Sequence, residues 1–261
     1  MNFFTNISQN ARVHIIYLTF NRLYYTKKTL PALLNSSNLT SYKIRIVDNG
    51  SNDGTVEYLQ QLTHPRIEQV IYNKKNQGLV KPTKKFWKES NAELIGKIDN
   101  DILVPRNWIQ QLINAHQKIP ELGVIGFCHF REEDFQQDIV KNKVLKKNGV
   151  YLRQQPWIGG NYILKREMVL KIGGYRQSRK LFQKRILHGF NKYQEKLVKH
   201  GYIHGYLCDE KKRLHLWEHL DDPRHPDFIN DNEYNPRKIS KTDIIEWYKK
   251  DAKLLLHDYS L

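Results

Sequence analysis

Short apolar runs alternate with segments of helical periodicity through the first part of the chain. Val13–Phe20 is β-branched and aromatic almost throughout, the pattern of a buried strand. It ends in the polar Thr19-Phe20-Asn21-Arg22. Leu23–Leu34 then places Leu23, Leu30, Leu33 and Leu34 at helical spacing, with Lys27 and Lys28 on the polar side. Pro31 is expected to kink that helix or shift its start. A second strand, Lys43–Val47, closes in the loop-forming run Asp48–Thr55, where Thr55 or Asp53 caps a helix over Val56–Leu62. Ile67–Tyr72 is a third strand, followed by the loop Asn73–Gly78 and a helix through Trp87 to about Ser90. A fourth apolar run ends at Asp99. Strand and helix alternate, which predicts an α/β fold with a mostly parallel central sheet and helices on both faces.

The second part is less regular. Trp108–Lys118 reads as a helix and Val124–Phe127 as a strand. The charged stretch 131–155 reads as a surface loop or a hairpin excursion. Strand character returns over Trp157–Arg166. A short helix, Glu167–Ile172, stops at Gly173-Gly174-Tyr175. Asn191–Lys199 is an amphipathic helix stopped by His200-Gly201, and Tyr202–Leu207 is a last strand. From Cys208 the chain is polar and irregular, with Pro223, Pro226 and Pro236. That pattern suggests a lid-like segment ahead of a final helix over Thr242–Leu256. There is no internal repeat.

Composition narrows the functional classes. With 261 residues, 39% of them hydrophobic, and 15 Tyr, 10 Phe and 5 Trp, the chain can bury a sizeable core. Cys128 and Cys208 have no metal-binding spacing and define no disulfide framework, so a reducing, cytoplasmic compartment is expected. Val13–Phe20 is too short to span a bilayer and has no basic region before it, so neither signal peptide nor anchor is expected. The net charge of +16 calls for an anionic partner. The basic pairs Lys27-Lys28, Lys84-Lys85 and Lys146-Lys147 and the triplet Lys211-Lys212-Arg213 form no nucleic-acid motif, so no nucleic-acid partner is expected. Phosphorylated substrates and an anionic membrane surface remain.

The most informative stretch for chemistry is Asp99-Asn100-Asp101. In an extended chain Asp99 and Asp101 share one face, and two such carboxylates repel. A divalent cation between them relieves the repulsion, and hard oxygen ligands suit Mn²⁺ or Mg²⁺, which keep positions open for substrate phosphates. Thr19–Arg22, Asp48–Asp53 and Asp99–Asp101 all fall at carboxyl ends of expected strands, the edge where such sheets bind ligands.

These pieces, in this order, resemble an inverting, family 2-type glycosyltransferase of GT-A fold: Thr19-Phe20-Asn21-Arg22, Val47–Thr55, Asn76-Gln77-Gly78, Asp99-Asn100-Asp101 and Trp157–Tyr175. The resemblance covers roughly Val13 to Leu207. It implies a metal-dependent enzyme that moves a sugar from a nucleotide-diphosphate donor, a UDP-sugar, to a hydroxyl of a glycan or lipid-linked acceptor in surface polysaccharide synthesis. By the resemblance, Thr19, Asn21, Arg22, Asp48, Ser51, Asp53, Asn76, Gly78, Asp99 and Asn100 bind the nucleotide sugar, with Asp48 accepting from the base. Trp157, Gly159, Gly160 and Asn161 form the wall facing acceptor and donor sugar. Asp99, Asp101 and a His beyond the last core strand, His219, form the metal site. The implied organisation is a tail over 1–12, a nucleotide-sugar-binding half over 13–126, an acceptor-binding half over 127–207, and a small C-terminal lid and amphipathic helix over 208–261.

One part of the family pattern is missing. Inverting members carry Glu-Asp about a dozen residues before the Gly-Tyr that here is Gly201-Tyr202, but this chain has Gly189-Phe190. Glu195, about one turn later, is the expected base, with Asp134, Asp209, Asp221 and Asp222 as alternatives. A retaining transferase and a non-catalytic sugar-nucleotide-binding protein are the rival readings.

Overall fold

The computed structural model describes residues 12–38, 42–174, 189–229 and 239–257. The N-terminal tail before Arg12, Tyr175 and Pro236 lie outside the described residues. The first half alternates as the periodicity predicts: β1 (Val13–Thr19), α1 (Leu23–Leu34), β2 (Tyr42–Asp48), α2 (Thr55–Gln60), β3 (Ile67–Tyr72), α3 (Val80–Glu89) and β4 (Leu94–Asp99). The second half contains β5 (Ile102–Leu103), α4 (Trp108–Lys118), β6 (Leu122–Gly126), α5 (Gln137–Asn142), β7 (Val144–Lys147), β8 (Val150–Gln154), β9 (Tyr162–Lys165), α6 (Arg166–Ile172), α7 (Gly189–Val198), β10 (Ile203–Cys208), β11 (Glu218–His219) and α8 (Lys241–Ala252).

Nine strands form one sheet in the order β3-β2-β1-β4-β9-β6-β10-β8-β7. Only β9 and β8 run against the rest, so the sheet is mostly parallel. The alternation of side chains along a strand splits the core between its two faces. Val13, Ile15 and Tyr17 of β1 point to the layer holding Leu30 and Leu33 of α1, Leu59 of α2 and Leu112 of α4. Ile16 and Leu18 point to the other, which holds Trp87 of α3, Met168 of α6, Leu197 of α7 and Ala252 of α8.

Several expectations are corrected by packing. Pro31 stays inside α1, which runs unbroken from Leu23 to Leu34. Of the two forms expected for the charged stretch 131–155, the hairpin is the one its end adopts. It turns at Asn148-Gly149 with φ of 49° and 76° at the two residues, and β8 extends the main sheet by pairing with β10. Positive φ at both turn residues suits Asn-Gly and matches the strand twist. The strand expected over Trp157–Arg166 is confined to Tyr162–Lys165, which leaves 157–161 as a loop. The start of the segment after Cys208 packs into the core. Leu214, Trp217 and Leu220 are buried, and the Trp217 ring packs 5.6 Å from Trp108 and 5.7 Å from Phe127.

Candidate functional site

The carboxyl ends of β1, β2 and β4 meet in one hydrogen-bonded network. β1 leaves the sheet through Asn21 and Arg22, both left-handed, with φ of 54° and 58°. Non-glycine residues hold that conformation only where the surroundings enforce it. Here the second loop does so. The Asn21 N–H donates to the Ser51 hydroxyl (2.7 Å), the Leu23 N–H to Asp53 (2.8 Å), and the Asn52 N–H to the Asn21 side chain (2.9 Å). Asp53 thereby satisfies the exposed amino end of α1 from outside the helix. Asn100, itself buried, donates to the Thr19 hydroxyl (3.1 Å), the Asn21 carbonyl (3.2 Å) and the Thr26 hydroxyl (3.2 Å).

Asp48 is fully buried, and the Gly50 and Ser51 N–H groups donate to it at 3.0 Å each, joined by the Ser51 hydroxyl. Both its oxygens brace the loop. Asn76 accepts from Asn49 (3.2 Å) and from the Gly78 N–H (2.8 Å). Asn49, which stood out in the sequence only as part of its motif, is the hub of that loop. It donates to Asn76 and to the Gly78 carbonyl and accepts from Asn73 and the Gln77 N–H.

Next to this network lies a cavity of about 430 Å³ lined by Asp99, Asp101, His219, Trp157, Gly159, Gly160 and Asn161. The structure thus brings the expected wall and the expected metal-binding side chains together. Asp99 is held on three sides. Lys97, only 4% exposed, sits 2.5 Å away and also donates to the Gly160 carbonyl. The Asp99 N–H donates to Asn161 at 2.7 Å. A Cβ at Gly160 would come within 3.0 Å of the Asp99 carboxylate, so glycine allows the wall to close against it. Burial lifts the Asp99 carboxyl above its usual range; Lys97 pulls it down and the Asp101 charge pushes it up.

Asp101 is placed by the small sheet of β5 and β11. His219 pairs with Ile102, and the Leu220 N–H donates to the Asp101 carbonyl at 2.8 Å. Asp101 Oδ2 pairs with Arg22 at 3.2 Å, and the same guanidinium reaches Asp221 at 3.2 Å. Asp101 Oδ1 is buried, has no hydrogen-bond partner, and lies 3.8 Å from His219 Nε2. The other His219 nitrogen, Nδ1, is 2.5 Å from the Tyr248 hydroxyl of α8. His129, also on the cavity wall, is held neutral: burial and then the nearby His219 lower its pKa to about 3, against the pull of Asp101.

No three His, Cys, Asp or Glu side chains among the described residues cluster closely enough to hold a metal by themselves. Asp101 and His219 fit a cation whose remaining positions come from a substrate. An orphaned carboxylate oxygen facing an imidazole nitrogen is a donor set for Mn²⁺ or Mg²⁺. Asp99 fits that role less well, because Lys97 already matches its charge.

The expected base does not reach the cavity. Glu195 is exposed, whereas it is Gly189, Phe190 and Asn191 at the start of α7 that line the space. Helix α7 turns Phe190, Tyr193 and Leu197 inward, stacking Phe190 on Tyr162 at 4.3 Å, and this puts Glu195 outside. Asp134 and Asp222 both grip Arg224, Asp209 pairs with Arg213, and Asp221 pairs with Arg22. Lys97, His129, Tyr206 and Asp251 also belong to the site or its wall, and the sequence reading missed them. Lys97 could have been found, since period two puts it on the Asp99 face of β4.

The sequence profile of glycosyl transferase family 2 matches residues 14–190. No curated protein sequence matches the chain. Among solved structures, the mannosyltransferase PcManGT from Pyrobaculum calidifontis, in complex with GDP-Man and Mn²⁺, is similar at TM-score 0.61 and 16% identity, over 96% of this chain and 72% of that one. Residues 1–349 of TarS from S. aureus are similar at TM-score 0.55 and 13% identity, over 81% of this chain and 61% of that one. The fold is GT-A, and a family match over most of the chain, on a site of this composition, makes the protein a glycosyltransferase that belongs to glycosyl transferase family 2.

Proposed function

We propose that the protein is a metal-dependent, inverting glycosyltransferase. It transfers one sugar from a nucleotide-diphosphate donor to a hydroxyl of a glycan or lipid-linked acceptor in surface polysaccharide synthesis. The observation that carries this reading is the unpartnered Asp101 oxygen facing His219 inside the cavity walled by Trp157–Asn161. A bound Mn²⁺ or Mg²⁺ would neutralise the charge growing on the leaving diphosphate. Asp101 and His219 would hold that ion, and Asp99, held by Lys97, would stand beside the sugar. The network of Thr19, Asn21, Ser51, Asp53, Asn76, Gly78 and Asn100 gives the nucleotide pocket a rigid frame. A UDP-sugar is the donor that the family resemblance implies; a GDP-sugar is the second reading, favoured by the GDP-Man of PcManGT.

A thermal-shift screen of UDP- and GDP-sugars, with and without Mn²⁺, tests the reading. A donor at a hundred times its dissociation constant adds about 2.7 kcal/mol, which raises the melting temperature by roughly 5–10 °C in a chain of this size. The shift is expected with one donor and to need the ion. If none of them shifts the protein, the reading fails.

Cytoplasmic placement against the inner face of an anionic membrane is part of the proposal. No helix among the described residues is long and apolar enough to cross a membrane. Helix α8 carries Lys241, Lys249 and Lys250, and Trp247 on it is 49% exposed, a combination suited to a headgroup layer. The protein should sediment with phosphatidylglycerol vesicles at low salt and stay in the supernatant at high salt; equal binding to neutral vesicles would rule out the electrostatic docking.

A further inference from the structure

Inversion by direct displacement needs a group that takes the proton of the acceptor hydroxyl. The helix that should supply it opens with Gly189-Phe190-Asn191, and its Glu195 faces away. Among the described residues, the carboxylates that line the cavity are Asp99, Asp101 and Asp251. Asp101 with His219 is the proposed metal site, and Asp99 is tied with Lys97 to the Gly160 wall beside it. Asp251 comes from a different part of the chain, the last turn of α8.

The docking of α8 gives Asp251 a defined place. Tyr248 and Asp251 are three apart, so they share one helix face. Tyr248 reaches His219 at 2.5 Å, which turns that face toward the site. Ala252 and Leu255 are fully buried just beyond, so the helix end cannot swing away without uncovering core. Inside the cavity the charge of Asp251 acts on Tyr206, a neighbour on the lining. The Asp251 residue stays exposed, which leaves its rim of the cavity open to an incoming hydroxyl.

We propose that Asp251, delivered by the C-terminal helix, is the general base of the transfer. The proposal rests on the glycosyltransferase reading above. The acceptor oxygen forms its bond to the anomeric carbon as the bond from that carbon to the diphosphate oxygen breaks. The hydroxyl proton passes to the Asp251 carboxylate, and the electron pair of the broken bond leaves with the nucleoside diphosphate. The base that the family carries ahead of its last core strand has here moved to a helix after it.

The test uses the full chain with Mn²⁺ and the UDP- and GDP-sugars of the thermal-shift screen. It reads nucleoside diphosphate release, with water and with octyl glycosides as acceptors. Asp251→Asn should lower kcat at least a hundredfold, keep the donor-induced thermal shift, and lose the acidic limb of the kcat/KM profile that the wild type shows. Release within threefold of wild type overturns the assignment and leaves the glycosyltransferase reading standing. Loss of the donor shift in Asp251→Asn overturns it too, since the residue would then bind donor or hold structure. So does a hundredfold loss in Glu195→Gln in place of Asp251→Asn. No release by the wild type from any donor overturns the underlying reading, and the assignment with it.

Discussion

Replacing Asp101 with asparagine is expected to cut transfer about a thousandfold and leave the fold intact. The size follows from what one preorganised electrostatic group at a developing oxyanion is worth, about 10²–10³ in turnover, with the loss of a charged metal ligand added. The substitution keeps the side-chain shape. It removes the negative charge from the buried oxygen that faces His219 Nε2 at 3.8 Å. Folding should not suffer, because Asp101 sits among like charges. Its charge raises the carboxyl pKa of both Asp99 and Asp221, each already raised chiefly by burial. Removing it lets both neighbours ionise more readily, and Arg22 keeps Asp221 as a partner. The melting temperature without ligand should therefore hold or rise slightly. Two measurements check the prediction together: nucleoside diphosphate release, and the increment that Mn²⁺ adds to the donor-induced thermal shift. The variant should lose that increment. A variant that keeps it would show that Asp101 is not the ligand, whatever happens to turnover.

The same site shows which features the sequence could and could not reveal. Strand ends were legible because β1, β2 and β4 are apolar runs closed by polar residues, and parallel topology gathers such ends on one edge. That placed Thr19–Arg22, Asp48–Asp53 and Asp99–Asp101 side by side. What each side chain does there was not legible. Asp48, Asp53 and Asn100 turn inward to fasten the loops, because buried polar groups at tight turns need partners: the two carboxylates accept from backbone N–H groups, and the Asn100 amide donates to the Thr19 hydroxyl and the Asn21 carbonyl. His219 could be picked out by its acidic neighbours, but its height in the site comes from pairing with Ile102, in strands too short to leave a pattern. Glu195 was misplaced for a related reason. Periodicity finds a helix, whereas the face it turns inward depends on partners, here the aromatic cluster of Trp87, Tyr162, Phe190 and Tyr193. The helix α8 was legible as a helix, and its membership in the site was not, since that depends on contacts with distant parts of the chain, among them one buried residue of β8.

That residue is Arg153, and replacing it with methionine is expected to cost about 2–4 kcal/mol of stability and most of the activity. Arg153 lies on β8 opposite Tyr206 and is only 2% exposed. Its Nε and Nη2 donate to the Leu255 carbonyl at 3.0 and 2.6 Å, Nη2 also to the His257 carbonyl at 2.5 Å, and Nη1 to the Gln154 carbonyl at 2.9 Å. The Leu255 and His257 carbonyls belong to the turn Lys253–Leu256 that ends α8 and to the residue after it, whereas Gln154 is the neighbour of Arg153 on β8. Methionine fills a similar volume but strands buried acceptors, each worth about 1–3 kcal/mol when unpaired, while sparing the desolvation of a guanidinium. The net cost corresponds to roughly 5–15 °C in melting temperature. Lysine keeps the charge but cannot form the fork, so Arg153→Lys should recover only part of the loss. The effect on activity follows from geometry. Helix α8 carries Tyr248 to His219 and Asp251 to the cavity, so loosening its end disorders both approaches while the nucleotide half stays folded. Hydrogen exchange should therefore speed up across Lys241–Leu256 and leave β1, β2 and β4 protected. If α8 stays protected in Arg153→Met, the helix is held by its buried Ala252 and Leu255 alone, and the loss of activity must be sought elsewhere. The expected pattern, local exchange with global folding, would make the C-terminal helix part of the catalytic unit and Arg153 the residue that fastens it there.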